Sequence, residues 1–336
     1  MMEVYECIVV GAGVQGSFTA YQLAKRKKKC LLLEQFTLPH TRGSSHGQSR
    51  IIRKAYQQDF YTHMMAEGYE MWAELEREAG VTLFRRTGLL VMGPEKSESY
   101  TGFKDSLEKN KVPMVVLTPE NFQQHIPNVI LAEGDGAFVD TTAGVLYADR
   151  ALKAVQGQFE KLGGVLKDQE KVTDIKPGPM VTVTTSAGVY QAKSVVITAG
   201  PWANRVLLHT GIQLPLQVIK INVCYWQEKI QDTYHVKKRF PCFLLSEGEE
   251  NKDHIYGLPS NEYPGLMKMP ANVHDLPEAL DPAIEKGKVR HMEHQQARKV
   301  WTIMCRRRRR RRKKPRSDPH SDQSPATDLR SPESGG

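Results

Sequence analysis

The chain has 336 residues, 40% hydrophobic and 25% charged, the balance of a globular protein with room for roughly two domains. Its net charge of +9 is concentrated: positions 306 to 316 hold ten basic residues and one proline, so the rest carries about −1. That excludes a nucleic-acid surface spread over the body, and no apolar run reaches the ~20 residues of a membrane-spanning helix.

In chain order, Val4 to Val10 reads as a buried strand. From Val14 the apolar spacing becomes helical through Phe18, Tyr21 and Ala24. The helix ends in the cationic turn Lys25 to Lys29, and "CLLLE" follows as a second buried strand. This strand–helix–strand unit is expected to form a right-handed parallel pair. Helices are expected at 67–80, 104–111 and 149–164, and strands at 88–93, in 217–228 and on both sides of an acidic turn in 241–260. The stretch 180–200 reads as a hairpin followed by a separate buried strand. After Met269 the chain becomes proline-punctuated, and 306–336 is Arg, Ser, Pro and Asp, expected to stay disordered.

The five cysteines stand far apart, without metal-ligand spacing, and their odd count suits a reducing compartment. No metal site is expected, and Cys7 and Cys30 read as plain core residues. The N-terminus has no signal-peptide pattern, since Glu3 and Glu6 rather than Lys or Arg flank the apolar run.

Gly11-Ala12-Gly13-Val14-Gln15-Gly16 matches G-x-G-x-x-G between a strand and a helix, and the acid Glu34 closes the second strand. Gly11 permits the tight turn, Gly13 lets backbone approach a pyrophosphate, and Gly16 allows helix and strand to pack closely. The helix N-terminus favours phosphate, and Glu34 can accept from a ribose diol. The fingerprint leaves FAD and NAD open. "HTRGSSHGQSRIIRKAY" (40–56) is small, polar and cationic. Arg50 and Arg53 are three apart and, if helical there, share a face that suits an anionic flavin and a carboxylate substrate. A solvated basic loop is the alternative.

With "VVGAGVQG", "LLLEQFTLPHTRGSSHGQSRIIRKAY", "TGLLVMG", "VITAGPW", "INVCYW" and "HIYGLPSNEYPGLMK", the chain resembles the monomeric sarcosine oxidase family from about Val4 to Lys268, and within it the mammalian peroxisomal branch. The resemblance implies an α/β fold: a Rossmann-like FAD-binding domain of the glutathione-reductase type (1–84 and 145–216) with an α+β substrate domain (85–144 and 217–269). It implies oxidation of secondary amino acids such as sarcosine and L-pipecolate, with hydride transfer to flavin and reoxidation by O2 to give H2O2. By the same resemblance, Gly11, Gly13, Gly16 and Glu34 hold the adenosine diphosphate half. His40, Gly43, Ser44, Ser45, His46, Arg50 and Ile51 line the flavin, and Val172, Ala199, Gly200, Pro201 and Trp202 add contacts. Arg53 resembles the cation for the substrate carboxylate, Tyr256 an aromatic wall of the pocket, and Lys268 the lysine that activates oxygen.

Met269-Pro270-Ala271-Asn272 replaces a histidine that the family carries just past this lysine. The cysteine that bonds covalently to flavin, a late glycine-rich motif and the last strand and helix of the FAD domain have no counterpart in the divergent segment 270–305. The body thus resembles the family and the end is foreign, as an altered splice or reading frame would produce. Family members form monomers and reach the peroxisome through a C-terminal tripeptide. The ending "ESGG" is no such signal and points to the cytosol. Three readings stay open: an oxidase that lacks its covalent anchor and is therefore expected to be weakened or inactive, a different flavin oxidoreductase, and a non-enzymatic chain whose arginine run binds nucleic acid or directs nuclear import.

Overall fold

The computed structural model describes residues 3–218, 221–228, 230–246 and 255–271. The acidic turn at 247–254, nearly all of the divergent segment 270–305 and the basic tail at 306–336 lie outside the described residues.

β1 (Val4–Val10), α1 (Val14–Lys25) and β2 (Cys30–Leu33) form the expected unit, and the last four residues of β1 and all of β2 are buried. Strands covered on both faces are apolar at every position, which is why these segments read as continuous runs. β3 (Ser49–Ile52) follows, then the long α2 (Asp59–Ala79), stopped by Gly80 at φ 66°. β4 (Phe84–Arg86) and β5 (Leu89–Pro94) lead to α3 (Glu98–Lys109), whose first turn is capped by the Ser97 side chain accepting from the Tyr100 amide. β6 (Met114–Leu117), α4 (Pro119–His125), β7 (Asp135–Asp140) and β8 (Gly144–Tyr147) precede α5 (Ala148–Lys161). β9 (Val165–Lys167), β10 (Val172–Lys176), β11 (Val181–Thr185), β12 (Val189–Ile197) and α6 (Ala203–Leu207) complete this half. β13 (Asn222–Gln227), β14 (Cys242–Leu245), β15 (Ile255–Gly257) and β16 (Leu266–Ala271) end the described chain.

A six-stranded sheet has the order β10-β11-β12-β1-β2-β9. β12, β1, β2 and β9 run parallel, while β10 and β11 join as an antiparallel hairpin. Side-chain alternation sorts β1 onto two faces. Cys7 and Val9 join α1, α2 and α5 in one core, and Ile8 and Val10 join Val172, Ile175 and Val183 in another. A five-stranded sheet, β15-β14-β5-β7-β6, contributes to two further cores, one including Phe243 and the other Phe138 and Leu244. Each fully buried Leu or Phe contributes ~1.5–3 kcal/mol. Two small sheets, β3-β8-β4 and β13-β16, complete the architecture.

Two sequence readings are corrected. The stretch 180–200 holds two strands, not three: Val189–Ala192 of β12 pairs with β11, and the same strand continues alongside β1 to Ile197. Arg50 and Arg53 are not on a helix, because Arg50 lies within β3, paired to Leu146 of β8, and Arg53 lies just past its end. Among the described residues, no helix is long and apolar enough to cross a membrane.

Candidate functional site

The parallel strands of the six-stranded sheet deliver their carboxyl ends to one place, the edge at which open α/β sheets bind ligands. β1 runs into Gly11, β2 into Glu34 and β12 into Thr198. Gly11 adopts φ +103°, and a Cβ there would stand 2.6 Å from the Thr198 carbonyl oxygen. Only glycine fits that turn. At Gly16 a Cβ would press into the Gly11 carbonyl and come 2.5 Å from Thr198 Oγ1, so the third glycine lets helix and turn touch. Gly13 caps α1 in an extended conformation.

A cavity of about 1580 Å³ opens above this turn, larger than the ~300–1,000 Å³ of ordinary small-ligand pockets. Of the residues expected to hold cofactor, Gly11, Gly13, Glu34, His40, Gly43, Ser44, Ser45, His46, Val172, Ala199, Gly200 and Trp202 line it, with Pro201. Glu34 is 6% exposed and already accepts the Ala12 amide at 2.9 Å and the Phe36 amide at 3.1 Å. His40 Nε2 lies 3.5 Å from its Oε1. The Ser45 hydroxyl accepts the Val14 amide at 3.0 Å, tying the 43–47 loop to the head of α1.

Three expected residues are not on the cavity wall. Gly16 packs beneath the turn. Ile51 packs against the core of the five-stranded sheet rather than into the cavity. Arg50 spends its guanidinium on carbonyls, donating to Ser44 at 2.7 Å, His46 at 2.6 Å and Ser49 at 2.8 Å. It thus braces the loop that forms the wall.

Arg50, Arg53, Tyr256 and Lys268 are brought into one neighbourhood. Arg53 stacks on Tyr56, 4.7 Å from the ring centre. Burial raises the Tyr256 hydroxyl above its ordinary pKa, while Arg50 and Arg53 pull the other way. Lys268, on β16, is 6% exposed; its ammonium donates to the Ser49 carbonyl at 3.0 Å and the Ser49 hydroxyl at 3.3 Å. Burial lowers its pKa below the ordinary 10.5, and Arg50 adds to that while Glu262 opposes it.

Sequence reasoning missed several supports. The Gln156 amide on α5 donates to the Ala12 carbonyl at 2.9 Å, and the Ser17 hydroxyl donates to the same oxygen at 3.0 Å. Thr198 Oγ1 donates to the Val10 carbonyl at 2.9 Å. Glu262 is buried against Lys268. Gln156 and Thr198 carry no local signal, because their partners lie 144 and 188 residues away. Among the described residues no group of three or more His, Cys, Asp or Glu is placed to hold a metal ion.

Comparison with known proteins decides the family, for the FAD dependent oxidoreductase model matches residues 6–302. The chain belongs to the FAD dependent oxidoreductase family. Peroxisomal sarcosine oxidase of Homo sapiens is 52% identical over 267 residues, covering 80% of this chain and 68% of that protein. Monomeric sarcosine oxidase of Bacillus sp. (strain B-0618) is 30% identical over 281 residues, covering 83% and 70%. Among solved structures, the open form of NikD, an unusual amino acid oxidase of nikkomycin biosynthesis, superimposes with a TM-score of 0.68 at 23% identity over 85% of this chain and 74% of that one. L-proline dehydrogenase from P. horikoshii gives 0.63 at 22% identity over 83% and 74%. The last two establish the fold, a mixed α/β FAD dependent oxidoreductase fold. FAD is the cofactor of this family, and a cavity lined by Gly11 and Gly13, with Glu34 at the end of β2, fits its dinucleotide half.

Proposed function

We propose that this chain is an FAD-dependent oxidase of secondary amino acids, sarcosine and L-pipecolate being the substrates to try first. The observation that carries the reading is the joining of two sites by one short segment. The 43–47 loop lines the cofactor cavity, and Arg50 at its end holds that loop while its charge acts on Tyr256 and Lys268. In this reading the six-stranded sheet is the core of the cofactor domain and the five-stranded sheet that of the substrate domain.

Bound FAD would supply the electron sink that takes a hydride from the carbon beside the amine and passes electrons on to dioxygen. The chain does the rest. Gly11 keeps the turn tight, its own amide donating to the Leu33 carbonyl at 2.7 Å, while Gly13 and the head of α1 offer backbone amides to the pyrophosphate, and Glu34 orients the adenosine side. Arg53, stacked on Tyr56, presents a guanidinium for the substrate carboxylate, and Tyr256 walls the amine's side. Lys268 holds an ammonium where negative charge develops as oxygen is reduced. We further propose a monomer that acts in the peroxisome, as the names of its curated relatives suggest.

The test is peroxide formation by the purified, FAD-supplemented chain against a panel of amino acids. Secondary amino acids are expected to yield H2O2 with matching O2 uptake, and primary amino acids little. Substrate oxidation without peroxide, carried by an added electron acceptor, would sink the oxidase reading.

A further inference from the structure

Glu262 lies in the connection between β15 and β16, and its side chain is 1% exposed. Its Oε1 accepts the Ser49 hydroxyl and stands 3.5 Å from the Lys268 ammonium. Its Oε2 is buried with no hydrogen-bond partner among the described residues. Most buried polar atoms are hydrogen-bonded, so the half-satisfied state of Glu262 needs a reason. The reason lies in its neighbour.

An ammonium in a dry site loses its proton unless a counter-charge holds it. The groups that act on Lys268 come from several elements. Arg50, from β3, repels its charge, and Glu262 attracts it. Tyr225, opposite Lys268 in the β13–β16 pair, is pushed up to about 12 by burial, then by Glu262 and by Tyr263, whose ring stands 4.8 Å from its own. Tyr256, on β15, answers to Arg50 and Arg53. Glu262 is therefore the one acid, among the described residues, that acts on the ammonium. Ser49 is the link: its hydroxyl donates to Glu262 and accepts from Lys268, which fixes the direction of the lysine as well as its charge.

We propose that Glu262 is a positioning residue that, through Ser49, aims the Lys268 ammonium and keeps it charged, and so sets the upper pH limit of the reaction with oxygen. This rests on the reading of Lys268 as the group that assists dioxygen.

The test uses the full chain loaded with FAD and the variants Glu262→Gln and Lys268→Met. Competitive acetylation with acetic anhydride across pH, followed by peptide mass spectrometry, titrates Lys268 without reference to turnover. Stopped-flow reoxidation of the reduced enzyme gives the pH profile of the oxygen step. Gln keeps an acceptor for Ser49 but drops the charge. Glu262→Gln is therefore expected to move the Lys268 titration down by about one pH unit, a tenfold loss of proton affinity. The falling limb of the oxygen profile should move with it, with the substrate KM within about twofold of the parent. An unmoved titration overturns the proposal. If instead Lys268→Met is reoxidised at the parent rate, the oxygen role of Lys268 falls, while the acetylation curve still reports whether Glu262 holds the proton. Should Glu262→Gln not fold, Ser49→Ala replaces it: a downward shift supports the relay, and a parental curve refutes it.

Discussion

The Glu34 carboxylate, at the end of β2, accepts the amide of Ala12 in the glycine turn at 2.9 Å, and its other oxygen accepts the Phe36 amide at 3.1 Å. The acid at the tip of the second strand thus holds the turn in shape as well as facing the cavity. Glu34→Gln leaves one oxygen for two donors and turns an NH2 group toward the other. It should cost about 1–3 kcal/mol of stability and weaken FAD binding by roughly tenfold or more, read from thermal melts and flavin titration. Parental values in both would show that the two hydrogen bonds carry no weight.

Two of the three glycines should fail differently. A Cβ at Gly16 meets backbone at Gly11, which cannot move without opening β1, so Gly16→Ala should lose about 1–3 kcal/mol even without cofactor. At Gly13 the backbone is extended and a Cβ would meet Ser45 Oγ at 3.0 Å. Gly13→Ala should melt near the parent yet bind FAD more weakly, because Ser45 must release the Val14 amide. Equal melting of the two variants would contradict this division.

Arg50 forks onto three carbonyls, a geometry that one ammonium cannot reproduce. Arg50→Lys should therefore keep the fold, loosen the 43–47 loop and lower FAD affinity by about tenfold, one or two charge-assisted hydrogen bonds' worth. Isothermal titration with FAD measures it, and an unchanged affinity would place the loop's order elsewhere.

Lys268→Met removes the ammonium from its buried site. The oxygen step should slow by about 10²–10³, the loss that follows when one preorganised charge partner is removed, while anaerobic reduction by substrate should change far less. The sign of the parent's pH dependence follows from burial. The group works when protonated and its pKa is lowered, so the oxygen rate should be high at low pH and fall on a limb below the 10.5 of a free lysine. A rate that rises with pH through this range would contradict the role.

The first strand, its glycine turn and α1 could be read because period, glycine spacing and strand length all coincide within thirty residues. The start of α2 was missed although Phe60, Tyr61, Met64 and Met65 recur at helical spacing; Phe60, Tyr61 and Met64 are 53%, 47% and 64% exposed, so these apolar side chains do not pack into a core there. β12 read as parts of two strands because it lies between β11 and β1, its first residues closing the hairpin with β11 and its later ones running on beside β1. The Arg50–Arg53 pair was recognised for its charge with its element left open between helix and loop, since "SRIIR" has spacing compatible with a helix and becomes a strand only by pairing with β8, far along the chain. Glu262 was illegible for the same reason: the serine that explains it is 213 residues away.

The most direct measurement of the central claim, that the cavity above the Gly11 turn holds FAD, is titration of the purified chain with FAD, followed by flavin fluorescence and absorbance, alongside Gly13→Ala. The account predicts saturable, one-to-one binding with a structured flavin band, weakened in the variant whose melting is unchanged. A folded chain that leaves added FAD free, or binds it equally well with Gly13 substituted, would contradict it.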